Sequence, residues 1–198
     1  MKQKLFIVTN RKLVKNNNML DIIESSVQAG ADAVILREKD LDCSKIIQLA
    51  KKIKKITEPQ NVPLIINGNM EAALEVNSDG FHTNYADYMN EHFKFKGILG
   101  VSVHSTLEAA NVQKKGADYL LAGHIFKTNC KKGLEPRGIA FLEDMLKNVS
   151  IPIIAIGGIN ESNIDKLLKT DIYGAAVMSL VMCSDDPYLT TRNLKEHF

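Results

Sequence analysis

Short apolar runs alternate along this whole chain with longer stretches whose apolar residues recur at helical spacing. The runs fall at residues 4–9 (KLFIVT), 33–36 (AVIL), 63–67 (PLIIN), 80–82, 99–103 (LGVSV), 119–122 (YLLA), 152–156 (PIIAI) and 174–178 (GAAVM). They are apolar throughout rather than alternating, the pattern of strands buried on both faces. The stretches between them predict helices over 20–29, 44–56, 70–76, 106–114, 139–146 and 162–168, with a last helix from Pro187. Regular βα alternation implies a parallel sheet. Eight such units in 198 residues imply closure into a single (β/α)8 TIM barrel spanning 1–198, at the short end for that fold. A doubly wound open sheet is the alternative, but no GxGxxG follows the first strand. The phrases AGADAVIL (29–36) and KGADYLLA (115–122) echo each other where a helix passes into a strand, as a repeated βα unit would.

Composition narrows the function classes. A formal net charge of +2 is too mild to argue for nucleic acid or an acidic membrane as partner. The cluster Lys51, Lys52, Lys54 and Lys55 reads as the solvated face of a helix. Cys43, Cys130 and Cys183 are widely spaced and odd in number, against a disulfide framework or a zinc site and in keeping with a cytoplasmic protein. No apolar stretch approaches the roughly 20 residues of a membrane span, and the first ten residues lack the apolar run of a signal peptide.

In a TIM barrel the residues just after each strand form the active site. At those places stand Arg37 and Lys39, Asn67 and Gly68, His82 with Asp87 beyond it, Ser102 and His104, Gly123 and His124, Gly157 and Gly158, and Ser179. Two glycines after the seventh strand let a phosphate approach backbone N–H groups and the start of the next helix. Ser179 completes the usual phosphate position after strands seven and eight. The competing reading of the glycine pair is a tight turn needing positive φ. Arg37 and Lys39 suit a phosphate or carboxylate, unless they merely pair with Glu38 or Asp40. His124 is a candidate proton carrier, with a hydrogen-bonded structural histidine as the alternative. His82 reads as structural. The polar segment 127–138 (KTNCKKGLEPRG) is long for a βα connection and reads as a lid whose Lys131, Lys132 and Arg137 could close over an anion.

Taken in order, the motifs LREKDLD (36–42), VPLIIN (62–67), DGFH (79–82), GVSVHS (100–105), GADYLLAGHIF (116–126) and SIPIIAIGGIN (150–160) resemble the thiamine phosphate synthase/TenI superfamily over nearly the whole chain. Two activities are implied. Synthases join a pyrimidine pyrophosphate to thiazole phosphate with Mg2+. TenI-type thiazole tautomerases aromatise a carboxythiazole phosphate without a metal. Synthases carry Asn-Asp after the third strand, where this chain has Asn67–Gly68, although Asp87 matches their second metal-binding aspartate. They carry Gly-Pro after the sixth, where this chain has Gly123–His124, and Thr-x-Thr-Lys beyond it, where this chain has Thr128-Asn129-Cys130-Lys131. The stretch 123–138 is similar to the tautomerases, whose catalytic histidine falls at His124.

The resemblance therefore implies a tautomerase with His124 as the catalytic residue and phosphate held by Gly157, Gly158 and Ser179. Arg37, Lys39, Asn67, Ser102, Thr128 and Lys131 would bind substrate, with no metal and no cofactor. The alternatives are an Mg2+-dependent thiamine phosphate synthase and a non-catalytic regulator. For the last, no helix-turn-helix or basic recognition helix is visible. The expected partner is a small thiazole phosphate, with no nucleic acid and no membrane. The resemblance also implies a homodimer, though no self-complementary patch stands out.

Overall fold

The computed structural model describes residues 2–15, 18–128, 131 and 133–198. Eight strands, β1 (Lys4–Val8), β2 (Ala33–Leu36), β3 (Leu64–Asn67), β4 (Gly80–Asn84), β5 (Ile98–Val103), β6 (Tyr119–Gly123), β7 (Ile153–Ile156) and β8 (Gly174–Val177), pair in sequence order. Every pairing is parallel, and β8 closes on β1. This is the expected (β/α)8 barrel. The helices are α1 (Met19–Gln28), α2 (Cys43–Thr57), α3 (Met70–Glu75), α4 (Tyr85–Asn90), α5 (Thr106–Lys114), α6 (Gly138–Asn148), α7 (Ile164–Leu168), α8 (Ser179–Met182) and α9 (Pro187–Lys195). None is long and apolar enough to cross a membrane among the described residues.

Strand alternation divides the core in two. Leu5 and Ile7 of β1 belong to the large core shared with the helices. Phe6 and Val8 point into the barrel, where they join Ala33, Ile35, Ile65, Tyr119, Leu121, Ile154 and Ala176. Fully burying a Leu, Ile, Val or Phe side chain stabilises by about 1.5–3 kcal/mol, so both layers contribute strongly. Helix starts follow side-chain caps: Asp42 accepts from Lys45 N at α2, Asn69 from Ala72 N at α3, and Ser105 from Glu108 N at α5.

The sequence echo has a physical basis at the N-terminal end of the barrel. Asp32, Asp79 and Asp118 precede the even strands β2, β4 and β6. Each accepts, through its carboxylate, a backbone N–H from the first two residues of the preceding strand: Leu5, Leu64 and Leu99 respectively, at 2.7–2.8 Å. Each also donates its own N–H to the carbonyl of that same leucine. Asp32 is further paired with Lys4 and Lys195. Burial raises its pKa, but the contacts with Lys195, the Leu5 N–H and Lys4 outweigh this and hold it below the ordinary aspartate value.

Several boundaries differ from expectation. β4 runs to Asn84, beyond the apolar signal at residues 80–82, because ladder pairing with β5 carries Thr83 and Asn84 along. Asn84 then caps α4, accepting from Asp87 N, so a helix forms where no apolar periodicity announced one. The predicted helix over 162–168 begins only at Ile164, after a turn closed by Asn160 and Asn163. Lys51, Lys52 and Lys55 are exposed as expected. Lys54 instead caps α3, donating to the carbonyls of Val76 and Asn77.

Candidate functional site

A cavity of about 490 Å³ opens at the C-terminal ends of the strands, within the usual range for small-ligand sites. Val8, Ile35, Leu121 and Ile156 line its apolar part. All ten residues expected to bind or react line this one cavity: His124; Gly157, Gly158 and Ser179; and Arg37, Lys39, Asn67, Ser102, Thr128 and Lys131.

The charges after β2 are sorted by direction. Glu38 is buried and accepts from Thr9 Oγ1, Arg11 N and the Arg11 guanidinium. Asp40 takes a two-pronged grip from Arg11 and a contact from Lys12. These partners hold the Asp40 carboxyl well below its ordinary value, the Arg11 hydrogen bonds leading. The acidic residues are thus satisfied by Arg11 and Lys12, not by their sequence neighbours. Arg37 and Lys39 have no ion-pair partner among the described residues and face the cavity. The alternative of a local ion pair is not what forms. Arg37 is positioned through its backbone N–H, which donates to Thr9 Oγ1 at 2.9 Å.

His124 follows β6 in a left-handed conformation, φ 62°. Such a backbone is uncommon outside glycine and is retained where the surroundings enforce it. The enforcement is visible: Arg137 N donates to the His124 carbonyl and Ile125 N to the Ile156 carbonyl. The residue is 2% exposed, and neither ring nitrogen has a hydrogen-bond partner among the described residues. The reading of a hydrogen-bonded structural histidine is therefore not met. A buried imidazole without partners is costly to maintain, and this one stands on the cavity wall.

Gly157 and Gly158 have φ of 110° and 67°. A Cβ at Gly157 would lie 2.8 Å from the Cα of His124, and one at Gly158 would strike the backbone of Phe126 and Lys127. The glycines thus serve the tight-turn requirement and let the segment after β6 pack against the one after β7. The expected helix start behind them is absent, since α7 begins only at Ile164. Any phosphate there meets loop amides instead.

Three further features complete the wall. His82, expected to be structural, is buried inside the barrel with Nδ1 2.8 Å from Tyr119 Oη and Nε2 2.8 Å from Ser102 Oγ. Burial, aided by the charge of Arg37, lowers its pKa to about 3. Lys131 and His104 both have lowered pKa values, burial being the first cause, with the charge of Arg137 acting on both. Asn84 lines the cavity and was missed from sequence. Its signal was only that two polar residues continue the polar end of the fourth strand. Arg137 does not reach over the cavity as a lid cation. Its Nε donates to the His104 carbonyl and its guanidinium lies over the Phe141 ring, so it anchors the loop base. Asn129, Cys130 and Lys132, used in the sequence reading of this loop, lie outside the described residues.

Mg2+ takes hard oxygen ligands, usually one or two carboxylates with substrate phosphates. At this mouth Gly68 offers no side chain, and Asp87 is exposed, engaged by the Asn84 amide and outside the cavity lining. Among the described residues no group of three His, Cys, Asp or Glu could hold a metal. With Gly68 lacking a carboxylate, Asp87, bonded to the cavity-lining Asn84, is the oxygen donor left beside this mouth among the residues considered for Mg2+.

The sequence pattern of the family described as thiamine monophosphate synthase matches residues 5–181. The thiamine-phosphate synthase of Clostridium tetani is 41% identical over 186 residues, covering 92% of this chain and 89% of that protein. The thiamine-phosphate synthase of Clostridium acetobutylicum is 37% identical, covering 90% and 87%. Among solved structures, thiamine phosphate pyrophosphorylase from Pyrococcus furiosus aligns with a TM-score of 0.85 at 30% identity, covering 98% of this chain and 94% of that one. These names agree with the synthase alternative raised from sequence and lend the tautomerase reading no support.

Proposed function

This chain belongs to the thiamine monophosphate synthase/TenI superfamily, and from that premise we propose that it is an enzyme of thiamine synthesis acting on a thiazole phosphate, with tautomerisation as the chemistry its site geometry supports best. The observation that carries the reading is His124: a buried imidazole with neither nitrogen paired among the described residues, held on the cavity wall by a left-handed backbone. An imidazole can take a proton at one atom and return it at another near neutral pH.

The substrate by this reading is a dihydrothiazole with an exocyclic double bond, a carboxylate and an ethyl phosphate tail. His124 removes the proton from ring carbon C2. The electron pair of that C–H bond enters the ring, the ring double bond shifts by one position, and the exocyclic π pair moves out onto the exocyclic carbon. The exocyclic carbon then takes a proton from His124, and the ring becomes aromatic. No atom is gained or lost. One positioned acid–base group supplies about 10²–10⁴-fold, and aromatisation provides the drive.

The loop amides of Gly157 and Gly158, with Ser179, are the proposed phosphate contacts. Arg37 and Lys39, with Lys131, are the proposed counter-charges for the carboxylate. Asn67, Ser102 and Thr128 are assigned to orient the ring. The free thiols of Cys43 and Cys183 agree with a cytoplasmic setting, which belongs to the same proposal.

The synthase is the second reading, favoured by the names of relatives that align over about nine-tenths of this chain. Against it stands the donor set at Gly68 and Asp87. One assay separates the two. Purified protein is given the carboxythiazole phosphate alone, then thiazole phosphate with pyrimidine pyrophosphate and Mg2+. Isomerisation without added metal, and no thiamine phosphate in the second arm, is the expected result. Thiamine phosphate formation with no isomerisation would overturn the tautomerase in favour of the synthase.

A further inference from the structure

Inside the barrel, a line of three side chains crosses from β6 through β4 to β5. Tyr119 Oη is 2.8 Å from His82 Nδ1, and His82 Nε2 is 2.8 Å from Ser102 Oγ. Tyr119 is 4% exposed and His82 1% exposed, while Ser102 reaches the cavity wall. The tyrosine ring is fixed by Gly100, where any Cβ would collide with it, and by the Phe6 ring at 6.3 Å.

The direction of the hydrogens in this line follows from counting. A phenol has one proton to donate, and His82 Nδ1 is its one hydrogen-bond partner among the described residues. If Nδ1 carried the proton, the phenol would have to accept, and its own hydrogen would be left buried without an acceptor. The phenol therefore donates to Nδ1. Buried as it is, with the Arg37 charge acting on it, His82 stays neutral and has one proton, which must then sit on Nε2. That proton is given to Ser102 Oγ, which in turn keeps its hydroxyl hydrogen free.

We propose that Tyr119 and His82 are positioning residues that lock Ser102 as a hydrogen-bond donor into the cavity, so that the site selects ligands with an acceptor oxygen opposite Ser102. A free serine hydroxyl rotates and serves donor or acceptor alike. This one already accepts from His82, so its single hydrogen is left to point at the cavity. The guanidinium of Arg37, without an ion pair among the described residues, acts on the same histidine and lines the same cavity. The favoured ligand group is therefore an anionic oxygen, carboxylate or phosphate. A ligand acceptor there takes that hydrogen directly, whereas a ligand donor must use the second lone pair of Ser102 Oγ and leaves the hydroxyl hydrogen without its acceptor. The choice of ligand class rests on the function proposed above, whereas the direction of the relay does not.

The test has two parts. Nitrogen-15 NMR of histidine side chains, with His82→Gln used to assign the signal, reads the tautomer directly. His82 is expected as neutral Nε2–H from pH 8 to pH 5. An Nδ1–H tautomer or an imidazolium would overturn the relay. In Tyr119→Phe the pure Nε2–H signature is expected to be lost, with the ligand KM rising about tenfold and kcat changing less. Ser102→Ala is expected to raise KM similarly, and the double variant no further than Ser102→Ala alone. Full additivity of the two would contradict the coupling. Absence of thiazole isomerisation in the wild type, with the Nε2–H tautomer observed, would sink the functional reading and leave the relay intact.

Discussion

At the N-terminal end of the barrel, polar groups come in closed sets. Asp32, Asp79 and Asp118 each satisfy an N–H from the first two residues of a strand, and Asp32 is paired with two lysines. At the C-terminal end, the cavity is walled by groups left open among the described residues: Arg37 and Lys39 without ion pairs, and His124 with neither ring nitrogen bonded. Both ends are built on the same strands, so the contrast lies in which residues were placed there. An isolated unsatisfied group costs stability, and proteins keep such groups where a ligand supplies the partner. Satisfied groups at one end hold the barrel together, and open groups at the other are the ones assigned to the ligand in the proposed function.

Four substitutions or conditions test this division, from the largest effect downward. Gly158→Ala should cost about 2–5 kcal/mol, through left-handed strain and collision with the Phe126–Lys127 backbone. Urea unfolding measures it. This is the one place where the cavity end should behave like the stabilising end, and a neutral result would remove that exception. Asp118→Ala should cost about 1.5–3 kcal/mol, the worth of a hydrogen bond to a charged group, with kcat/KM held near wild type. A loss of activity without loss of stability would invert the assignment.

His82 gives the third. Its pKa is lowered to about 3 from the ordinary 6.5. Below pH 6.5 the unfolded chain takes up a proton that the folded one refuses. The stabilising contribution of the neutral buried ring is thus whole above pH 6.5 and is lost as pH falls toward 3, at about 1.4 kcal/mol per pH unit. His82→Gln should remove that slope from the stability–pH curve, and an unchanged slope would place the titration elsewhere. Finally, Arg37→Ala should raise the KM for the thiazole phosphate about tenfold while unfolding stability stays within about 0.5 kcal/mol, since its charge has no ion-pair partner among the described residues to strand. A matched fall in stability would show that Arg37 belongs to the structural set.

Much of this was legible in the sequence, and what was not has physical reasons. The apolar runs gave the eight strands, because a parallel strand buried on both faces has no other pattern. The strand-end residues came together in one cavity because barrel closure forces them to. The extension of β4 to Asn84 was hidden, since its register is set by pairing with β5 and not by its own hydrophobicity. The ionic role of Arg11 toward Glu38 and Asp40 was hidden because the partners lie 27 and 29 residues apart. The left-handed backbone at His124 depends on packing against Gly157, which a single-residue pattern does not carry. Between synthase and tautomerase, the names of relatives and the donor set at the cavity mouth point different ways, and chemistry must arbitrate.

His124→Asn arbitrates most directly, because asparagine tolerates the left-handed backbone and so removes the imidazole without disturbing the turn. The measurement is the rate of carboxythiazole phosphate isomerisation by wild type and variant at equal folded concentration. The account predicts a fall of about 10²–10⁴-fold in kcat, with thermal stability unchanged or raised once the unpaired ring is gone. A variant that isomerises the thiazole at the wild-type rate would contradict it.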